Sequence, residues 1–190
     1  MNLQEYSNIV RGLAKDPAQI IDDSSPGVVH LLHMAVGLAG EVAEAQECIW
    51  FAKEEIDMAH LKEELGDSMF YIVGIINGIG WSHEDLLEKS KTAYTMSDGH
   101  ADISYDVASI GIHCGNVLDA VKKAAIYGQD INEDRLQQEL LAVLRLVVLI
   151  AEASNITVDD MIGANVAKLS KRYPNLTYSN AAAKERADKQ

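Results

Sequence analysis

What the 190-residue sequence has little of narrows the fold first. Three prolines and 13 glycines are too few to punctuate many short strands, which favours long helices. Aromatic residues make up only 6% and β-branched runs are few, which points the same way. The two cysteines, Cys48 and Cys114, form no C-x-x-C pair and suggest no disulfide framework, so both read as reduced core thiols of a cytoplasmic protein. His113 beside Cys114 lacks a second ligand pair at zinc spacing. Positive charge is scarce: 16 Lys and Arg against 29 Asp and Glu give a net charge of −13. Such a surface argues against nucleic acid and anionic membranes as partners. The longest apolar run, Leu140 to Ala151, is interrupted by Arg145 and is too short to cross a bilayer. Residues 1–16 place Leu3, Tyr6, Ile9 and Leu13 at helical spacing with charges between them. They read as an amphipathic helix and not as a signal peptide.

What is present is enough apolar material, 48% of residues, to bury a real core, and an internal repeat. Sliding the chain by 75 positions aligns Gly40 with Gly115, Val42 with Val117, and Leu61, Glu64 and Leu65 with Leu136, Glu139 and Leu140. Helix starts align as well. Asp57 and Asn132 suit N-caps, and Ser82-x-x-Asp85 and Thr157-x-x-Asp160 resemble capping boxes. Each half predicts three helices, over 28–52, 58–77 and 83–95, then 103–127, 133–152 and 158–172. The middle helix of each is apolar nearly all round and should be central. A polar linker spans Thr95 to Asp102, and a polar, loosely held tail occupies 175–190. The expected fold is all-α. It is one helical bundle over residues 1–190, built from repeat 1 (28–95) and repeat 2 (103–174) about a pseudo-twofold axis.

The first repeat carries Glu41-x-x-Glu44 and, on the next helix, Glu64-x-x-Asp67. A spacing of three puts both members of a pair on one helix face. Four carboxylates between two antiparallel helices repel in a low dielectric, and a hard divalent cation with oxygen ligands would neutralise them. Gly40 and Gly66 inside these helices suggest a close approach by another backbone or a ligand. A di-iron carboxylate bundle wants E-x-x-H, and neither His60 nor His83 lies three residues after a suitable Glu. Mg²⁺, or Mn²⁺, is the better expectation.

The second repeat has lost this set. Asn116, Asp119 and Ala142 stand at the positions of Glu41, Glu44 and Asp67, and only Glu64 has a counterpart, Glu139. It offers Lys122 and Lys123, Tyr127, and a last helix with Asn165, Lys168, Lys171 and Arg172. These cations suit phosphate oxygens, while Lys171 and Arg172 equally suit a helix C-terminus. One half therefore reads as metal-holding and the other as phosphate-facing.

GLAGEVAEAQE followed by LKEELGDSMFYI resembles the E-x-x-E…E-x-x-D signature of MazG-like, all-α nucleoside triphosphate pyrophosphohydrolases, which include the dimeric dUTPases and dCTP pyrophosphatases. KKAAIYGQD and NVAKLSKRYP resemble segments of the same repeat, and the likeness spans about residues 28–174. The resemblance implies Mg²⁺-dependent cleavage of a nucleoside triphosphate to the monophosphate and pyrophosphate. Glu41, Glu44, Glu64 and Asp67 would be the metal ligands, and Asn165 and Lys168 would touch the nucleotide. Glu63 or Glu47 could accept the proton of the attacking water. Lys122, Lys123 or Lys168 could meet the leaving pyrophosphate, and Trp50, Phe51, His33 or Tyr127 could stack on the base. Narrow dUTPase or dCTPase activity and a non-catalytic helical interaction protein are the alternatives. A homodimer is compatible with the tandem repeat.

Overall fold

A computed structural model of the chain describes residues 1–94 and 103–189; the linker read over Thr95 to Asp102 lies outside the described residues. The described residues are all-α, with no strand. In chain order they form α1 (Leu3–Leu13), α2 (Pro17–Asp23), α3 (Pro26–Trp50), α4 (Met58–Gly78), α5 (Leu86–Ala93), α6 (Ile103–Tyr127), α7 (Glu133–Ala153), α8 (Val158–Arg172), α9 (Asn180–Glu185) and a closing 3₁₀ turn, Ala187–Lys189.

Local chemistry sets most of the helix ends. Ser25, Asp57, Asn132 and Thr157 each accept a backbone N–H of the first turn through their side chains, satisfying donors that a helix start leaves free. Thr157 and Asp160 complete a reciprocal capping box. The matching box expected from Ser82 and Asp85 does not form. Ser82 Oγ accepts from the Glu84 N–H at 3.1 Å and Asp85 adopts a left-handed φ of 59° without a side-chain cap, so α5 starts at Leu86 and is short. The C-termini of α4 and α7 are twins. Gly80 (φ 70°) and Asn155 (φ 55°) both turn left-handed. Behind them Trp81 N–H bonds Ile76 C=O at 3.0 Å, and Ile156 N–H bonds Ala151 C=O at 2.8 Å. This closure uses the last free carbonyls of each helix.

The long helices α3, α4, α6 and α7 make the bundle: α3 packs on α4 and α6, α6 on α7, and α4 on α7. α3 is long and apolar enough, by length and composition, to cross a membrane; here Leu31, Met34, Ala35, Leu38 and Val42 are buried along it. Buried apolar residues from all four long helices form one contiguous cluster, with Leu38, Leu61, Ile75, Leu140, Leu146 and Ile150 among the most enclosed. The short third helices cross over: α8 packs on α4 and α5 packs on α7. Each half thus covers the other's central helix.

The two ends of the chain behave differently. No residue of α1 is buried, so its apolar stripe is not part of the core. The segment after it is fastened, since Lys15 Nζ donates to Ile126 C=O at 2.7 Å and Ser24 Oγ donates to Ala125 C=O at 3.2 Å, both at the end of α6. The tail carries more order than its polar composition suggested. Arg172 grips Asp188 through Nε and Nη2 at 2.7 and 2.6 Å, folding α9 and the 3₁₀ turn back onto α8.

Candidate metal centre

Glu41 and Glu44 leave α3 towards α4, and Glu64 and Asp67 leave α4 towards α3. Carboxylate oxygens of Glu41, Glu64 and Asp67 lie within 4.8 Å of one another. Glu44 joins Glu64 in a second group, whose third member is His60, again within 4.8 Å. Glu64 and Asp67 are enclosed, at 4% and 9% exposure, while Glu44 is open to solvent. The acids therefore form two adjoining groups that share Glu64, with Glu41 and Asp67 in one and the exposed Glu44 in the other.

Without an ion the pocket is balanced by protons and cations from the chain itself. Burial, a hydrogen bond to Glu64 and the charges of Asp67, Glu64 and Glu44 push the Glu41 carboxyl up to about 8. It is therefore protonated at neutral pH and donates to Glu64. Burial also lifts Glu64, offset in part by that hydrogen bond and by Lys168. Asp67 accepts Asn165 Nδ2 at 2.6 Å and pairs with Lys168 Nζ, which also reaches Glu63 at 2.7 Å. Burial alone would lower Lys168, but its hydrogen bonds to Asp67 and Glu63 outweigh that and hold it above the usual lysine value. One shared proton, one lysine and one amide of the chain itself thus stand against the carboxylates.

Gly66 explains how α8 comes close enough. A Cβ built on it would stand 2.6 Å from Met161 C=O and 3.3 Å from Asn165 Cβ, so only hydrogen fits between α4 and α8. Gly40, singled out with it, has open space beside it and serves no such approach.

The other candidate residues divide. Asn165 and Lys168 are at the acids. Glu63 is at the acids too, held by Lys168. Glu47 is exposed on α3. Lys123 pairs with Asp119 at 2.6 Å and Lys122 stands 5.9 Å over the Tyr127 ring, so both are engaged near the end of α6, and the cation whose charge acts on Glu64 is Lys168. Trp50 and Tyr127 are exposed. His33 meets Tyr71 edge to face at 6.3 Å, and Phe70 meets the same ring at 5.3 Å.

Two residues were missed by the sequence reading. Tyr71 crosses α3 in the space that Gly37 leaves open; burial and the Glu41 and Asp67 carboxylates raise its hydroxyl, which places it beside the acids. Its position four after Asp67 was a usable signal. His60, four before Glu64, sits with Nε2 2.9 Å from Glu64 Oε1; the search for a His three after a Glu passed over it. In the second half, Glu139 is held by His113 Nδ1 at 2.7 Å, so the counterpart of Glu64 is also occupied by a side chain.

The donor set fits a hard divalent cation. Glu41, Glu64 and Asp67 offer carboxylate oxygens, the donor type such cations take. No protein-family model, curated protein or solved structure matches the chain.

Proposed function

We propose that the chain is a Mg²⁺-dependent nucleoside triphosphate pyrophosphohydrolase of MazG-like kind, built from two fused and diverged repeats. The single observation that carries the reading is the convergence of Glu41, Glu64 and Asp67 oxygens within 4.8 Å, with Lys168 and Asn165 of the other half at Asp67. The equal lengths of α4 and α7, 21 residues each, their twin C-terminal closures and the exchange of third helices support the repeat.

In this reading Glu41, Glu64 and Asp67 would hold Mg²⁺, with Glu44 beside them at Glu64; the ion when bound would supply charge neutralisation on the triphosphate and acidify a water. The chain's own residues do the rest. Lys168 exchanges Asp67 and Glu63 for a phosphate oxygen, carrying its charge to where negative charge builds up on the leaving group. Glu63, half-buried and within reach of Lys168, would accept the proton of the attacking water. Water's oxygen bonds to the α-phosphorus, the α–β bridge bond breaks, and the products are the nucleoside monophosphate, pyrophosphate and a proton. Tyr71, with His33 and Phe70 around it, offers an aromatic wall for the base.

The test is pyrophosphate release from a panel of NTPs and dNTPs with and without MgCl₂. Wild type should release it only with Mg²⁺, and Glu64→Ala and Asp67→Ala should lose at least 100-fold in rate, on the order of a removed electrostatic group, at unchanged helical circular dichroism. Full activity in a folded Asp67→Ala protein would refute the assignment.

A further inference from the structure

On the open side of the acid pocket a second set of ligating atoms comes together. Glu44 and Glu64 oxygens and a His60 ring nitrogen lie within 4.8 Å of one another. The set is built from two i, i+4 pairs on facing helices: Glu44 with Cys48 on α3, and His60 with Glu64 on α4. His60 is held at both nitrogens, with Nε2 2.9 Å from Glu64 Oε1 and Nδ1 3.3 Å from Cys48 Sγ. Glu64 is 4% exposed, so the carboxylate that anchors the ring is itself fixed by the core. Glu44 and His60 face solvent, leaving room for water ligands.

We propose that Glu44, His60 and Glu64 form a second metal position of mixed nitrogen and oxygen donors, which takes a borderline divalent ion such as Co²⁺, Zn²⁺ or Mn²⁺. It adjoins the all-oxygen position of Glu41, Glu64 and Asp67, and Glu64 belongs to both. An imidazole ligand suits Zn²⁺ and its neighbours in the transition series, whereas Mg²⁺ keeps to oxygen. When Nε2 ligates, Nδ1 carries the ring proton and needs an acceptor, and Cys48 Sγ is in place to be that acceptor. Such a partner fixes the tautomer and the ring orientation of a ligating histidine. Paired i, i+4 side chains on two helices hold the donors without help from any loop.

This position does not depend on the pyrophosphohydrolase reading, and its test needs no nucleotide. The full chain is titrated with CoCl₂ alone, following the visible d–d absorption of bound cobalt, and with MgCl₂ by calorimetry. Wild type should develop the cobalt spectrum. His60→Gln should weaken Co²⁺ at least 10-fold and leave Mg²⁺ binding unchanged; Cys48→Ala should weaken Co²⁺ roughly 10-fold, the usual scale for an orienting partner. Asp67→Asn should do the reverse, weakening Mg²⁺ and keeping the cobalt spectrum. No cobalt spectrum in wild type, or an unchanged one in folded His60→Gln, overturns the proposal. Loss of the spectrum in His60→Gln from a protein that hydrolyses no nucleotide would keep this site and refute the activity instead.

Discussion

Asn165 Nδ2 donates to Asp67 Oδ1 at 2.6 Å, joining residues 98 positions apart in the chain. One end of the bond is the last acid of the α3–α4 pocket and the other is the middle of α8. With Lys168 one turn further along α8, it makes the acid pocket a joint product of both halves. Loss of either partner leaves a buried polar group without its hydrogen bond, which costs about 1–3 kcal/mol.

Glu41 sets a pH dependence of stability. Its folded value, about 8, stands above the ordinary carboxyl value, so between roughly pH 4.5 and pH 8 the folded state holds a proton that the unfolded state has released. Stability of the ion-free protein therefore falls as pH rises through that window. Glu41→Gln should flatten this slope. Mg²⁺ binding to the carboxylates releases the proton, so MgCl₂ should raise the melting temperature more at pH 8 than at pH 6. Thermal melts across pH with and without MgCl₂ read both effects.

Gly66→Ala should loosen α8 from α4. The added methyl meets a backbone oxygen at 2.6 Å, and overpacking of this kind costs about 1–3 kcal/mol. Chemical denaturation should show that loss. Asn165 and Lys168 then stand off Asp67, so on the proposed function nucleotide hydrolysis should fall further than Mg²⁺ affinity does. Gly40→Ala, which meets nothing, should instead stabilise the helix by up to about 1 kcal/mol.

Lys168→Met separates balance from chemistry. Removing the ammonium deprives Asp67 and Glu63 of their cation, so the ion-free protein should lose stability. It also removes a competitor for Asp67, so Mg²⁺ measured without nucleotide should bind more tightly than in wild type. On the proposed pyrophosphohydrolase reading, hydrolysis should nevertheless drop, because Lys168 would be the cation that meets the phosphates. Calorimetry and steady-state kinetics on the same variant check the opposed signs.

Asp106→Asn should stabilise the protein at neutral pH. The side chain of Asp106 is enclosed, at 5% exposure, and its Oδ1 has no hydrogen-bond partner among the described residues. Burial raises its carboxyl, so its ionised form penalises the folded state as pH rises above the ordinary aspartate value. The variant's advantage in melting temperature should shrink as pH falls towards that value.

The helices were legible in the sequence where local chemistry decides them. Asn132 and Thr157 cap the helices they precede, and α7 and α8 begin where periodicity and caps put them. α5 was read too long because Ser82 Oγ satisfied a nearer N–H and Asp85 turned left-handed, a competition between two hydrogen bonds that spacing does not rank. The acids were legible because i, i+3 spacing is a local property of α3 and α4. Lys168 at Asp67 was not, since it depends on α8 crossing to the other half. His60 shows the limit of a template: the residue stood four positions from Glu64, but the pattern sought was a different offset.

The crossing of α8 has a consequence for synthesis. The four carboxylates leave the ribosome long before their lysine and amide, because α8 is the last long helix made. A nascent chain that has completed α3 and α4 lacks the Lys168 counter-charge that Asp67 receives in the folded chain until residue 168 has emerged and docked. A chain that stops before residue 165 keeps all four acids and never acquires that counter-charge.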